Sequence, residues 1–188
     1  MSLKNSNTKS DYLEWNEGIN LIPKLERDSN DQFAIIIAGG MFLGLRISDL
    51  KTLRWCDIIN QDSIALNEKK TGKRRILKIN SQVADIAKRI YSKQPLTERM
   101  INEPICKVST QYINRIMKEI KIQYRLKIDH FSTHSLRKTF GRRIWEQDNH
   151  SEKALILLSE IFNHSGTNIT RKYLGIRQEE IANVYELL

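Results

Sequence analysis

The sequence predicts an α+β domain, mostly α-helical, with one small three-stranded antiparallel sheet. Apolar residues recur at helical spacing along most of the chain: Val83, Ile86, Ala87 and Ile90 in one stretch, Tyr112, Ile113, Ile116, Met117 and Ile120 in another. Between residues 55 and 79 this period gives way to three short segments with β-compatible centres. With 188 residues and 40% hydrophobic content, the chain is long enough to bury a core of its own.

The polar residues 1–10 are read as a tag or linker, Met1-Ser2-Leu3 resembling an expression remnant, and 11–188 as a single domain. Residues 11–25 form the first expected helix, with Asp11 as its cap and Pro23 near its end. An apolar helix follows over 30–44, then a short one over 47–54 with Ile47, Leu50 and Leu53 on one side. The expected strands are Trp55–Ile59, Ser63–Asn67 and Arg74–Ile79, the last two joined by a turn at Thr71-Gly72. Beyond the helices around 83–90 and 112–120, helices are expected at about 134–148, 151–162, 167–173 and 176–187. The longest apolar run, Phe33 to Leu45, has thirteen residues; a membrane span needs about 20, so it reads as a buried core helix. The N-terminus has no signal-peptide core. Cys56 and Cys106 stand far apart, with no disulfide framework and no paired metal motif, which fits a reducing cytoplasm.

The formal net charge of +9 points to nucleic acid or another polyanion. Four segments carry possible chemistry. In Gly44-Leu45-Arg46-Ile47-Ser48-Asp49, an arginine sits at a helix joint between apolar flanks, with Asp49 placed to brace it. A guanidinium suits phosphate because its fork donates two parallel hydrogen bonds and keeps its charge; the alternative is a structural Arg46–Asp49 ion pair. The expected hairpin Asn67–Arg75, with Lys78 beyond, carries six basic residues and one acid. It can lie along a nucleic-acid backbone through Lys69, Lys73, Arg74 and Arg75, or merely blunt a sheet edge. Lys70 near its tip can give a proton to a leaving oxygen. In Thr133-His134-Ser135-Leu136-Arg137-Lys138, a histidine and an arginine three residues apart share a helix face, with Lys138 beside them as a further candidate DNA contact. A partly buried capping histidine is the competing reading.

The fourth segment places His164 nine positions before Tyr173, with Ser165 and Thr170 between. A phenol has a pKa near ~10 and needs nearby cations and a base to attack at neutral pH. Tyr91, Tyr112 and Tyr185 lie on or beside apolar stripes, and Tyr12 and Tyr124 have no catalytic context, so Tyr173 is the candidate nucleophile. Two other readings fail. His130 and His134 are four apart, but no zinc-protease signature or nearby cysteine joins them. Thr71-Gly72-Lys73 lacks the upstream glycine and following Ser or Thr of a phosphate-binding loop.

In order, Arg46, the hairpin Lys70, His134-x-x-Arg137, His164 and Tyr173 resemble the catalytic domain of the tyrosine recombinase (phage integrase) family, from about residue 15 to 180. The resemblance implies that fold and these roles. Arg46 and Arg137 would clamp the scissile phosphate, and Tyr173 would attack it to give a 3′-phosphotyrosine. Lys70 would protonate the leaving 5′-oxygen, His134 would serve as general acid/base, and His164 would hydrogen-bond the phosphate. It implies no metal or other cofactor, a double-stranded DNA partner, self-association of the full-length protein into a tetramer on DNA, and a bacterial cytoplasmic setting without membrane. Related alternatives are a type IB topoisomerase and a catalytically silent DNA-binding or accessory domain. The sequence departs from the family at Asn163, where Gly is usual, and at Gly166, where a small Ser is common. The 27-residue gap from Arg137 to His164 is long, with an extra loop expected at Asp148–Ser151. The sequence lacks a match to the family's N-terminal helical domain, so the chain reads as a fragment or as a short member with weak DNA affinity of its own. Its last helix would dock on a neighbouring subunit or on its own domain.

Overall fold

The computed structural model describes residues 10–70, 72–95, 99–176 and 184–186. In chain order the elements are α1 (Trp15–Arg27), α2 (Asp31–Leu43), α3 (Ile47–Leu50), α4 (Trp55–Ile58), β1 (Ser63–Asn67), β2 (Arg74–Lys78), α5 (Ser81–Lys93), α6 (Thr110–Gln123), α7 (Thr133–Gln147), α8 (Glu152–Phe162) and α9 (Thr167–Leu174). The expected helix over 176–187 lies largely outside the described residues; 184–186 are helical.

α2 is apolar all round because it is buried all round: Ala34 through Ala38 and Met41 are fully enclosed. α1, α3, α5 and α7 pack about it. Gly40 allows α7 to approach closely, since a Cβ there would lie 2.6 Å from the Leu136 Cβ of α7. A smaller apolar cluster forms around α8 and α9, from Trp145, Leu155, Leu158, Phe162 and Leu174. Among the described residues, no helix is long and apolar enough to cross a membrane.

The expected three-stranded sheet has two strands. β1 and β2 pair antiparallel, with Ile64 opposite Leu77 and Leu66 opposite Arg75. The third candidate, 55–59, is instead the helix α4. The Asp57 carboxylate accepts the Arg54 N–H at 2.8 Å and starts the turn. Trp55 and Ile58, three apart, then face the core together. The Trp55 and Cys56 N–H groups donate to Glu103 and Ile101 carbonyls rather than to a sheet. The first helix begins at Trp15, not 11, because residues 10–14 form a strap along α7. Thr139 Oγ1 accepts the Leu13 N–H at 2.9 Å and donates to the Leu13 carbonyl at 2.8 Å. Asp11 caps nothing on α1 and accepts the His130 N–H. The 148–151 loop forms where expected, with Asn149 and His150 at positive φ and the His150 ring stacked on Trp145.

Because α2 and α7 touch at Gly40, Gly40→Val should cost about 1–3 kcal/mol of stability by overpacking. Urea denaturation of the variant checks this; an unchanged midpoint would mean the interface tolerates the added methyls.

Candidate active site

The site is assembled by four chain segments meeting at the C-terminal end of α8. α2 stops at Gly44, whose φ of +59° suits glycine, and a Cβ there would also strike the Phe140 ring at 2.4 Å. Arg46 follows at once, half-buried at the start of α3. Its Nη1 donates to Glu68 Oε2 at 3.1 Å and its Nη2 to the Phe162 carbonyl at 2.9 Å. A guanidinium has five N–H groups, so donors remain for a substrate. The expected brace from Asp49 is absent. Asp49, 1% exposed, instead accepts the Lys69 N–H at 3.0 Å and the Ser48 hydroxyl at 3.3 Å. Arg46 is braced by Glu68.

Glu68 was not among the residues the sequence singled out. It continues the inward register of β1, after Ile64 and Leu66, and is 3% exposed. Its other oxygen, Oε1, accepts from Arg75 Nη1 at 3.4 Å. Arg75 also donates to the Ile161 carbonyl at 2.7 Å, and Lys73 Nζ to Asn163 Oδ1 at 2.8 Å. Two of the expected DNA contacts, Lys73 and Arg75, therefore have protein partners at the end of α8. Lys69, Lys70 and Arg74 are exposed. Gly72, at φ +69°, turns the hairpin back.

α7 starts at Thr133. Ser135 Oγ accepts the Ser132 N–H at 3.0 Å and donates to the His130 carbonyl at 3.1 Å, fixing the helix start. His130 precedes the helix and does not share its face with His134. Arg137 is 3% exposed. Its Nη1 donates to the Gly44 carbonyl at 2.5 Å and its guanidinium lies 4.3 Å from the Phe162 ring centroid. The other amino group, Nη2, is buried with no hydrogen-bond partner. Burial, then Arg46, push Arg137 down to about 10, which leaves it charged at neutral pH. His134 is on the solvent side, in the first turn of α7. Lost hydration, then Arg137, Lys138, Arg46 and Lys70, hold its ring below the ordinary value, so it is neutral and can accept a proton.

His164 and Tyr173 come from the other side of the α8 end. His164 Nδ1 lies 3.0 Å from the hydroxyl of Thr170, which is fully buried on α9. That contact leaves Nε2 for another group. Burial, then Arg137, Arg46 and Lys70, push His164 down to about 4. The Tyr173 ring packs edge-on against Phe162 at 5.5 Å and His164 at 5.3 Å. Its hydroxyl is buried with no hydrogen-bond partner. Burial raises its pKa, outweighing the opposite pull of Arg137 and Arg46, so the phenol stays protonated until a base acts on it. Lys138, the remaining expected DNA contact, lies 5.4 Å from the Tyr173 ring centroid and donates to the Ser10 carbonyl at 2.5 Å.

Asn163 explains itself here. It ends α8 in the left-handed conformation, φ 53° and ψ 50°, which asparagine tolerates better than other side-chain-bearing residues. Gly166 caps α9 in extended backbone, and a Cβ there meets nothing within 4 Å. Among the described residues, no group of three or more His, Cys, Asp or Glu side chains converges to hold a metal. The site is cationic, and what its unpaired Arg137 amino group suits is an oxyanion.

A family model described as the phage integrase family matches residues 31–180. The chain belongs to that family, and with it to the tyrosine recombinases. It is 29% identical over 168 residues to the probable integrase/recombinase YoeC of Bacillus subtilis (strain 168), covering 87% of each chain. Its fold is similar to that of XerA recombinase, with a TM-score of 0.68 and 19% identity over 94% of this chain. It is also similar to XerH recombinase in a post-cleavage complex with a palindromic difH substrate, with a TM-score of 0.64 and 20% identity over 99% of this chain. It spans 64% and 56% of those two chains.

His164 gives a pH prediction. Its folded pKa of about 4 lies below the ordinary histidine value of 6.5, so the unfolded chain takes up the proton first as pH falls. Folding stability should therefore drop between about pH 6.5 and 4, and His164→Asn should flatten part of that slope. Urea melts across this range, with an NMR titration of the ring, check it; a ring titrating near 6.5 would contradict the geometry.

Proposed function

We propose that this domain breaks and rejoins DNA strands through a 3′-phosphotyrosine, as a site-specific recombinase acting in the cytoplasm. One observation carries the reading most. The Tyr173 hydroxyl and Arg137 Nη2 are both buried without hydrogen-bond partners, and the charges of Arg137 and Arg46 both act on the tyrosine. A buried hydroxyl and a buried cation without partners are costly, and a phosphate oxygen satisfies the cation while presenting phosphorus to the phenol.

In the first step Tyr173 Oη bonds to phosphorus and its proton passes to the neutral His134 ring. The P–O5′ bond breaks, and O5′ takes a proton from the Lys70 ammonium, leaving a free 5′-hydroxyl. Arg46 and Arg137 hold the non-bridging oxygens as charge builds on them. His164, accepting the Thr170 hydroxyl at Nδ1, carries its proton on Nε2 and donates it to the phosphate. A 5′-hydroxyl from a second strand then attacks the phosphotyrosine and the proton movements reverse. The phosphotyrosine conserves the bond energy, so the cycle balances without a cofactor. Lys69 and Arg74, both exposed on the hairpin, would contact the duplex backbone. The structurally similar Tn1549 transposon integrase, solved in complex with circular intermediate DNA, supports DNA as the partner, which we take to be double-stranded. A tetramer of the full-length protein would pair two sites.

Nicked suicide duplexes carrying a randomised pool of sites test the reading, because cleavage there traps the covalent intermediate. Wild type should give a protein–DNA adduct on a denaturing gel, and Tyr173→Phe none while still binding DNA. An adduct formed equally by Tyr173→Phe would falsify the assignment, and absence of any adduct from DNA-bound wild type would favour a silent domain.

A further inference from the structure

Glu68 is an acid in a site whose proposed substrate is an anion. Its charge opposes phosphate binding, and burying it at 3% exposure costs hydration. Two guanidiniums offset that cost, Arg46 at 3.1 Å and Arg75 at 3.4 Å. Neutralising Arg46 in this way weakens the phosphate clamp, so what the carboxylate contributes must lie elsewhere. Its backbone shows where. The Glu68 N–H donates to the Lys73 carbonyl at 3.0 Å, and its carbonyl accepts the Gly72 N–H at 2.8 Å. Glu68 thus closes the turn that carries Lys70, two residues on. The next N–H, that of Lys69, is held by Asp49 at 3.0 Å. The turn is tied by a side chain to the phosphate-clamping arginine and by backbone to α3.

We propose that Glu68 is a positioning residue for strand cleavage: through the 68–73 turn it fixes the Lys70 ammonium relative to Arg46. The phosphate clamp and the leaving-group acid then move as one unit. This rests on the reading of Tyr173 as nucleophile and Lys70 as proton donor. When Tyr173 Oη bonds to phosphorus, the P–O5′ electron pair stays on O5′, which needs the Lys70 proton to leave. If sulfur replaces that bridging oxygen, the pair stays on sulfur as a thiolate. A thiol has a pKa near ~8.5, so sulfur leaves without a proton.

The experiment measures single-turnover cleavage of a suicide duplex recovered by covalent capture with wild type, made with oxygen or sulfur at the 5′-bridging position. On oxygen, Lys70→Ala should be slower by about 100-fold or more, and Glu68→Gln by about tenfold. On sulfur, both should return to within about threefold of wild type. The ratio of the two rates cancels any loss of folded enzyme, and Glu68→Asp, which keeps the carboxylate on a shorter arm, should show a smaller ratio change than Glu68→Gln. Glu68→Gln as fast as wild type on oxygen overturns the proposal. So does Glu68→Gln equally slow on both substrates while Lys70→Ala recovers, since its effect then lies in Arg46 or in the fold. Lys70→Ala without recovery removes the lysine as the acid, and no cleavage of either substrate by wild type removes the recombinase reading itself; the proposal goes with each.

Discussion

Phe162 touches four of the groups on which the proposed chemistry rests. Its carbonyl accepts Arg46, its ring lies under the Arg137 guanidinium, and its edges meet Tyr173 and His164. The residues on either side extend the same anchorage, Ile161 to Arg75 and Asn163 to Lys73. The end of a helix leaves its last carbonyls unpaired and carries partial negative charge, so cations gather there. Here Arg46 and Arg75, from α3 and the hairpin, donate to the Phe162 and Ile161 carbonyls, and Lys73 beside Arg75 donates to the Asn163 side-chain oxygen. They fix the distance between the α3–hairpin half of the site and the His164–Tyr173 half.

That arrangement concentrates positive charge in a partly dry space. Arg46, Arg137 and Lys70 all depress the His164 ring, and Arg46 and Arg137 act against burial on Tyr173. Glu68 offsets one part of this charge and leaves Arg137 Nη2 unpaired. In the proposed reaction a phosphate oxygen would meet this unpaired cation, and preorganised charge of this kind stabilises charge that develops during reaction. Burial first, and then the neighbouring cations, keep both His134 and His164 on the neutral side.

Arg46, His134, Arg137, His164 and Tyr173 stand out in the sequence as candidates because each sits in a short local pattern whose chemistry is unusual for a surface. Lys70 was legible from the turn beside it. Glu68 was not, because both of its partners are arginines that only folding brings to it. The signal was nonetheless present: it is the one acid in a basic hairpin and falls on the inward-facing alternation after Ile64 and Leu66. The same limit explains Asp49, three residues from Arg46 yet used for the hairpin backbone. Among the elements, long periodic helices were readable, while Trp55–Ile59 was misread because a short apolar run fits either period. Its helical fate is decided by Asp57 capping Arg54 and by the core contacts of Trp55 and Ile58.

The central claim is that Tyr173 attacks phosphorus in a pocket of protein cations. The most direct measurement is to trap the cleaved intermediate on a suicide duplex with EDTA present, digest it, and identify the DNA-bearing peptide by mass spectrometry. The account predicts a nucleotide remnant on the peptide containing Tyr173, formed as well with EDTA as without. A remnant on another residue, or cleavage lost on adding EDTA, would contradict it.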